Sequence, residues 1–180
     1  MSSLSYPNGP LVLSLGLLVV RFVIGPVMAA HGAQKLFGWF GGHGLEGTGG
    51  FFESLGFHPG RLFAGLAGAM ELGGGLLVTL GLFGPVGPAL IISVMIVAAF
   101  SVHWSNGLFA MSNGIEVPLL YSSAALGLAL TGPGVFSLDS MLGLQALWSL
   151  NVVIPVLVIG MLGGAGNLVL RHPREVTNAG

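Results

Sequence analysis

Residues 11–38 read LVLSLGLLVVRFVIGPVMAAHGAQKLFG. From Leu11 to Ala30 the only charged side chain is Arg21, and crossing about 30 Å of hydrocarbon takes roughly 20 apolar residues. Such a run has to be helical, because lipid offers no partner to a free backbone N–H or C=O. A membrane barrel does not fit, since its strands alternate apolar and polar positions over about ten residues, and here the apolar residues come in unbroken blocks.

Working outward, the pattern repeats. Leu62 to Phe83 is interrupted only by Glu71, Val86 to Val102 is uncharged, Val117 to Thr131 is uncharged but short, and Leu147 to Leu170 is long and uncharged. Only 6% of the residues are charged and the mean hydropathy is +0.93, against roughly 25% charged in a soluble domain. These runs predict an all-α membrane protein, an up-and-down bundle of four transmembrane helices with a further C-terminal helix. The predicted organisation is an N-terminal segment at 1–10, a membrane domain at 11–138, the added helix within 139–170 and a polar tail at 171–180. Met1 to Pro10 lacks the basic start of a secretory signal, so the first run is expected to stay as a helix. Pro26 removes a backbone donor, which predicts a kink beyond Arg21.

Small residues four apart (Ala64/Gly68, Gly65/Ala69, Ala69/Gly73) suit close helix contact. With five spans, Lys35, Arg61, Arg171 and Arg174 fall on one side, which places that face in the cytoplasm. A net charge of −1 with 5 Lys plus Arg gives no basic stripe, and nucleic acid is not a partner. There is no cysteine, which removes thiolate, persulfide and Cys-ligated cluster chemistry from this chain. No Gly-x-Ser-x-Gly or His-Glu-x-x-His motif supports a hydrolase.

The first run opens into His31-Gly32-Ala33-Gln34-Lys35-Leu36-Phe37-Gly38-Trp39-Phe40-Gly41-Gly42-His43-Gly44-Leu45-Glu46-Gly47-Thr48. Together with Phe51-Phe52-Glu53-Ser54-Leu55-Gly56, Ala69-Met70-Glu71-Leu72-Gly73-Gly74 and Val102-His103-Trp104-Ser105-Asn106-Gly107, it resembles the DoxX family of small multi-pass bacterial membrane proteins. The resemblance covers about residues 12 to 138. It implies a four-helix core in the bacterial cytoplasmic membrane and a relation to the DoxD-type subunit of a thiosulfate:quinone oxidoreductase.

The charges within the spans are the first candidates for chemistry. Counted from Ala30 and Leu62, Arg21 and Glu71 fall at equal depth, which predicts a structural ion pair between them. In an up-and-down bundle the loops after helices one and three share a face. His31, Lys35 and His103 then meet there, with Gln34, His43, Glu46, Glu53, Asn106 and Glu116 nearby. Imidazoles that titrate near neutral pH suit proton handling or headgroup binding. Their spacing does not suit zinc, and haem finds little support. Phe37, Trp39, Phe40 and Trp104 read as an interfacial aromatic belt or as walls for a ring. The Gly-rich stretch reads as a re-entrant or interfacial turn.

The function expected from the resemblance is a redox-associated membrane subunit binding a quinone or similar lipid-soluble molecule. Its candidate substrate-binding residues are His31, Lys35, Glu71 and His103. No covalent cofactor and no metal are expected, and the partners would be the lipid bilayer and a redox subunit or a second copy of the chain. Whether the chain itself is an enzyme is left open. The alternative is a non-enzymatic scaffold or small transporter, in which Arg21 and Glu71 hold the helices or gate a polar path.

Overall fold

The computed structural model describes residues 9–172. Most of the expected N-terminal segment and of the tail, including Arg174, lies outside them. Seven α-helices follow one another among the described residues: α1 (Gly9–Phe37), α2 (Gly44–Ser54), α3 (Gly60–Leu80), α4 (Val86–Ala98), α5 (Glu116–Thr131), α6 (Leu138–Met141) and α7 (Leu150–Val169). No strand occurs among the described residues. A π-turn at Ala99–His103 and a 3-10 turn at Trp104–Asn106 prolong α4. The helices long and apolar enough to cross a membrane are α1, α3, α4 with its extension, and α7. The chain is a multi-pass membrane protein.

The short apolar helix is α5, at 16 residues, whereas the C-terminal helix has spanning length. Residues 139–149 do not join that helix. They form α6, a second tight turn at Leu144–Leu147 and irregular chain before α7 begins at Leu150. α1 runs on past Ala30 to Phe37, and it carries Pro26 without a break in the helix. The Gly-rich stretch folds into α2 from Gly44 onward rather than a bare turn.

Backbones meet where side chains are absent. Gly32 on α1 faces Gly68 and Leu72 of α3, and Gly75 faces Gly25 and Ala29, an antiparallel register in which a Cβ at either glycine would strike backbone. α4 leaves α3 at a similarly close crossing, Gly74 against Gly87. α7 runs parallel to α4: Gly160 lies on Ala89, and a Cβ at Gly164 would come within 2.6 Å of the Ser93 carbonyl oxygen. Gly160 and Gly164 form the small-xxx-small pair of this contact. Of the stripe anticipated on α3, Ala64 and Gly68 are buried, while Gly73 faces open space.

Two apolar clusters result. Met28, Ile91, Ala125, Leu128 and Leu157 belong to the central one. Phe52, Phe57 and Ala64 form a smaller one under α2, with Phe63, Val97 and Leu168 packed against it. Between the closely crossed midsection and this second cluster, a cavity remains.

Candidate functional site

The cavity measures about 210 Å³ and lies among α2, α3, α4 and α7. A single water needs only about 10–15 Å³, so there is room for an organic molecule. Phe51, Phe52, Phe57, Phe63, Leu66, Met70, Val94 and Val97 make the walls. Polar groups interrupt them at few places: Lys35 and Glu71, Ser93, Ser101, His103 and Asn167.

Glu71 is 4% exposed and accepts from Lys35 Nζ at 2.5 Å; Lys35 itself is a quarter exposed. Lys35 reaches this partner because α1 continues past Ala30, and because helical side chains lean toward the N-terminus of their helix. A carboxylate at this depth needs such a partner, since an isolated charge in hydrocarbon costs several kcal/mol at least, ~3 on the lowest scale. His103 sits in the π-turn, and its Nδ1 donates to the Asn113 carbonyl at 2.8 Å. Asn106 Nδ2 donates to the carbonyls of Val102 and Asn113, holding the same turn.

The Arg21–Glu71 pairing anticipated from equal depth does not occur. Glu71 is level with about Gly32 of α1, and Arg21 lies about three turns away, roughly 16 Å at ~1.5 Å per residue. The two ends from which depth was counted, Ala30 and Leu62, are not level, because α1 extends to Phe37. Arg21 instead meets the C-terminal end of α3. Its Nε donates to the Val78 carbonyl at 2.9 Å and Nη2 to Thr79 at 2.8 Å; Nη1 reaches Pro133 at 2.8 Å and Phe136 at 2.7 Å. Carbonyls at a helix C-terminus have no intrahelical partner and carry the negative end of the helix dipole. They accommodate the guanidinium without a carboxylate in contact. Gly81, with φ 62°, ends α3 there.

Asp139, fully buried, organises the same end of the bundle. Its carboxylate accepts from the backbone N–H groups of Phe83 and Gly84 at 2.8 and 2.7 Å, and from Trp148 Nε1 at 2.8 Å. Phe83 has φ 59°, a conformation unfavourable for a bulky residue. The two hydrogen bonds hold it.

Three of the four candidate substrate-binding residues, Lys35, Glu71 and His103, line one cavity. His31 does not. It is exposed on α1, bonds Gln34 through Nδ1 at 3.2 Å and meets the ring of Tyr121 edge-on, so it does not share the site with His103. Phe37, Trp39, Phe40 and Trp104 are 54–71% exposed and do not line the cavity, which is walled by Phe51, Phe52, Phe57 and Phe63 instead. The other polar neighbours serve the backbone or each other. Glu53 accepts from Gly60 N, Glu116 from Ala110 N, and Glu46 pairs with Arg61 at the surface. No three His, Asp or Glu side chains among the described residues converge as a metal site.

Ser101 and Asn167 were missed. A lone serine in an apolar run gives no signal without the π-turn, and α7 shows its position only once its parallel packing on α4 is known. A larger hollow of about 390 Å³ at the opposite end, between α1, the 131–135 segment and α7, has no ionisable side chain in its lining.

Fold and cavity together define a multi-pass helical membrane protein with a largely apolar cavity lined by one ion pair. The DoxX family model matches residues 16–104, and over that stretch the chain is a DoxX-family protein. The match runs from α1 to the π-turn and includes Lys35, Glu71 and His103; α5 and α7 lie beyond it. No curated protein and no solved structure matches the chain.

Proposed function

We propose that the cavity binds a quinone or a similar lipid-soluble ring compound, and that the protein serves as a redox-associated membrane subunit. The observation that carries this reading is the meeting of the Lys35–Glu71 pair and His103 inside a wall of phenylalanines. Binding sites of this kind are mostly apolar with few converging polar groups. Phenylalanine faces and edges suit a flat ring, and the polar groups orient its oxygens. The electron source belongs to a partner subunit, because the chain carries no cysteine to relay electrons as thiols.

The test is titration of a short-chain benzoquinone against the purified full-length protein, followed by quenching of tryptophan fluorescence. Glu71→Gln should weaken binding at least roughly tenfold, the loss of about 1.4 kcal/mol. His31→Ala, outside the cavity, should leave it within about twofold. Absence of binding in the wild type removes this assignment and returns the protein to scaffold or transporter.

A further inference from the structure

We infer that the cavity is selective for a neutral ligand presenting a hydroxyl group on an apolar ring, a member of the phenol class, with Ser101 and His103 as the residues that recognise the hydroxyl. This rests on the reading of the cavity as a site for a lipid-soluble ring. If the occupant belongs to a quinone–quinol couple, it is the reduced, hydroxyl-bearing form that the site prefers.

The π-turn is the starting point. Such turns are rare and cluster at functional sites. Three helical hydroxyls elsewhere in this protein donate one turn back: Thr79 to the Gly75 carbonyl, Ser123 to Leu119 and Thr131 to Gly127. Ser101, in the widened turn, does not. Its hydroxyl oxygen is the one buried side-chain polar atom without a partner among the described residues, and the residue lines the cavity. A buried hydroxyl left unpaired is costly, and it moves on a single side-chain torsion. An occupant that bonds it removes that cost.

His103 determines the polarity of the group that fits. A carbonyl only accepts, so the bond to the Asn113 oxygen keeps a proton on Nδ1. In the neutral imidazole Nε2 is then an acceptor. A group that satisfies it has to donate, and a hydroxyl does so while also accepting from Ser101. A quinone carbonyl, an ether or a fluorine cannot. Charge narrows the class further. Lys35 and Glu71 neutralise each other at 2.5 Å, so the lining has no spare cation for an anion and no spare carboxylate for an ammonium group. A charged ligand would be buried unpaired.

The experiment uses the full-length protein in detergent at pH 8, above the usual histidine range near ~6.5. Binding of 4-propylphenol is compared with that of 1-fluoro-4-propylbenzene, which has nearly the same shape but no donor. The ratio of the two affinities is taken relative to each variant, so that micelle partitioning cancels. Sites built around a hydroxyl reject analogues lacking it, and a ratio at least roughly tenfold in favour of the phenol is expected for the wild type. His103→Phe should abolish the preference. Ser101→Ala should weaken the phenol roughly three- to tenfold while its Tm stays equal to or above the wild type, because the substitution deletes an unpartnered hydroxyl. A fall in Tm with unchanged ratio would make Ser101 structural and overturn its role. Equal binding of both compounds overturns the hydroxyl preference but leaves the cavity as a ring site, whereas binding of neither overturns both.

Discussion

Lys35 and Glu71 stabilise the bundle only as a pair. Removing one partner leaves the other charge buried, which typically costs about 3–5 kcal/mol, while removing both is far milder. Lys35→Met and Glu71→Gln should therefore each lower Tm clearly, with Lys35→Met at the low end for lack of full burial, and the double variant should lose less than the sum. Arg21→Ala combined with Glu71→Gln should instead add to within about 0.5 kcal/mol, as sites without shared partners do. Thermal unfolding of the two double-mutant cycles checks both statements. Coupling between Arg21 and Glu71 would contradict the register described above. At this scale the residue types were legible and their partners were not. An intramembrane charge announces itself in sequence, but its partner depends on where α1 stops, and the apolar run ends seven positions before the helix does. Lys35 was visible as a candidate for the site, yet nothing in its neighbours said that it would turn inward to Glu71 while His31, one turn earlier, stayed outside.

Among elements, the parallel contact of α7 on α4 is held by an absence of side chains. Gly164→Leu would drive a side chain into the Ser93 carbonyl, 2.6 Å from an ideal Cβ, and overpacking of this kind costs about 1–3 kcal/mol. Gly127→Ala, which faces open space on α5, should instead gain up to about 1 kcal/mol from helix propensity. Comparison of the two Tm values, with a larger fall for Gly164→Leu than for any lipid-facing glycine, is the check. The existence of the helices was legible because fifteen or more uncharged residues in a row leave few alternatives in lipid. Which small residues face a neighbour was only partly legible. Ala64 and Gly68 do and Gly73 does not, since a four-residue spacing marks a stripe without naming the helix across from it. The π-turn was invisible, because Ala99–His103 carries no proline or glycine to announce a change of pitch.

For the whole molecule, the chain passes back and forth so that α1, α4 and α7 end at the cavity face, with Lys35, Arg61 and Arg171 there and Asp139 at the other. The positive-inside rule then predicts that the cavity face lies on the cytoplasmic side. The absence of cysteine allows a clean test: Met141→Cys should react with an impermeant thiol reagent in intact cells, and Met111→Cys only after permeabilisation. Both positions are well exposed, at 79% and 102%. The reverse pattern would invert the orientation. The architecture itself was legible, because hydropathy decides spans and alternation decides faces. The enclosure was not, since it depends on side contacts between helices distant in sequence.

One of those contacts has a temporal consequence. Arg171 Nε donates to the Leu55 carbonyl at 2.6 Å and His172 N to that of Gly56 at 2.9 Å, so the end of α7 is bolted to the turn beside Phe57, and Asn167 stands in the cavity wall. A chain made from its N-terminus has Lys35, Glu71, Ser101 and His103 in the bilayer well before α7 leaves the ribosome. Until then the chamber lacks the side that α7 supplies. A hydrophobic occupant drawn from the membrane therefore meets a wider opening during that interval than it does once α7 has docked.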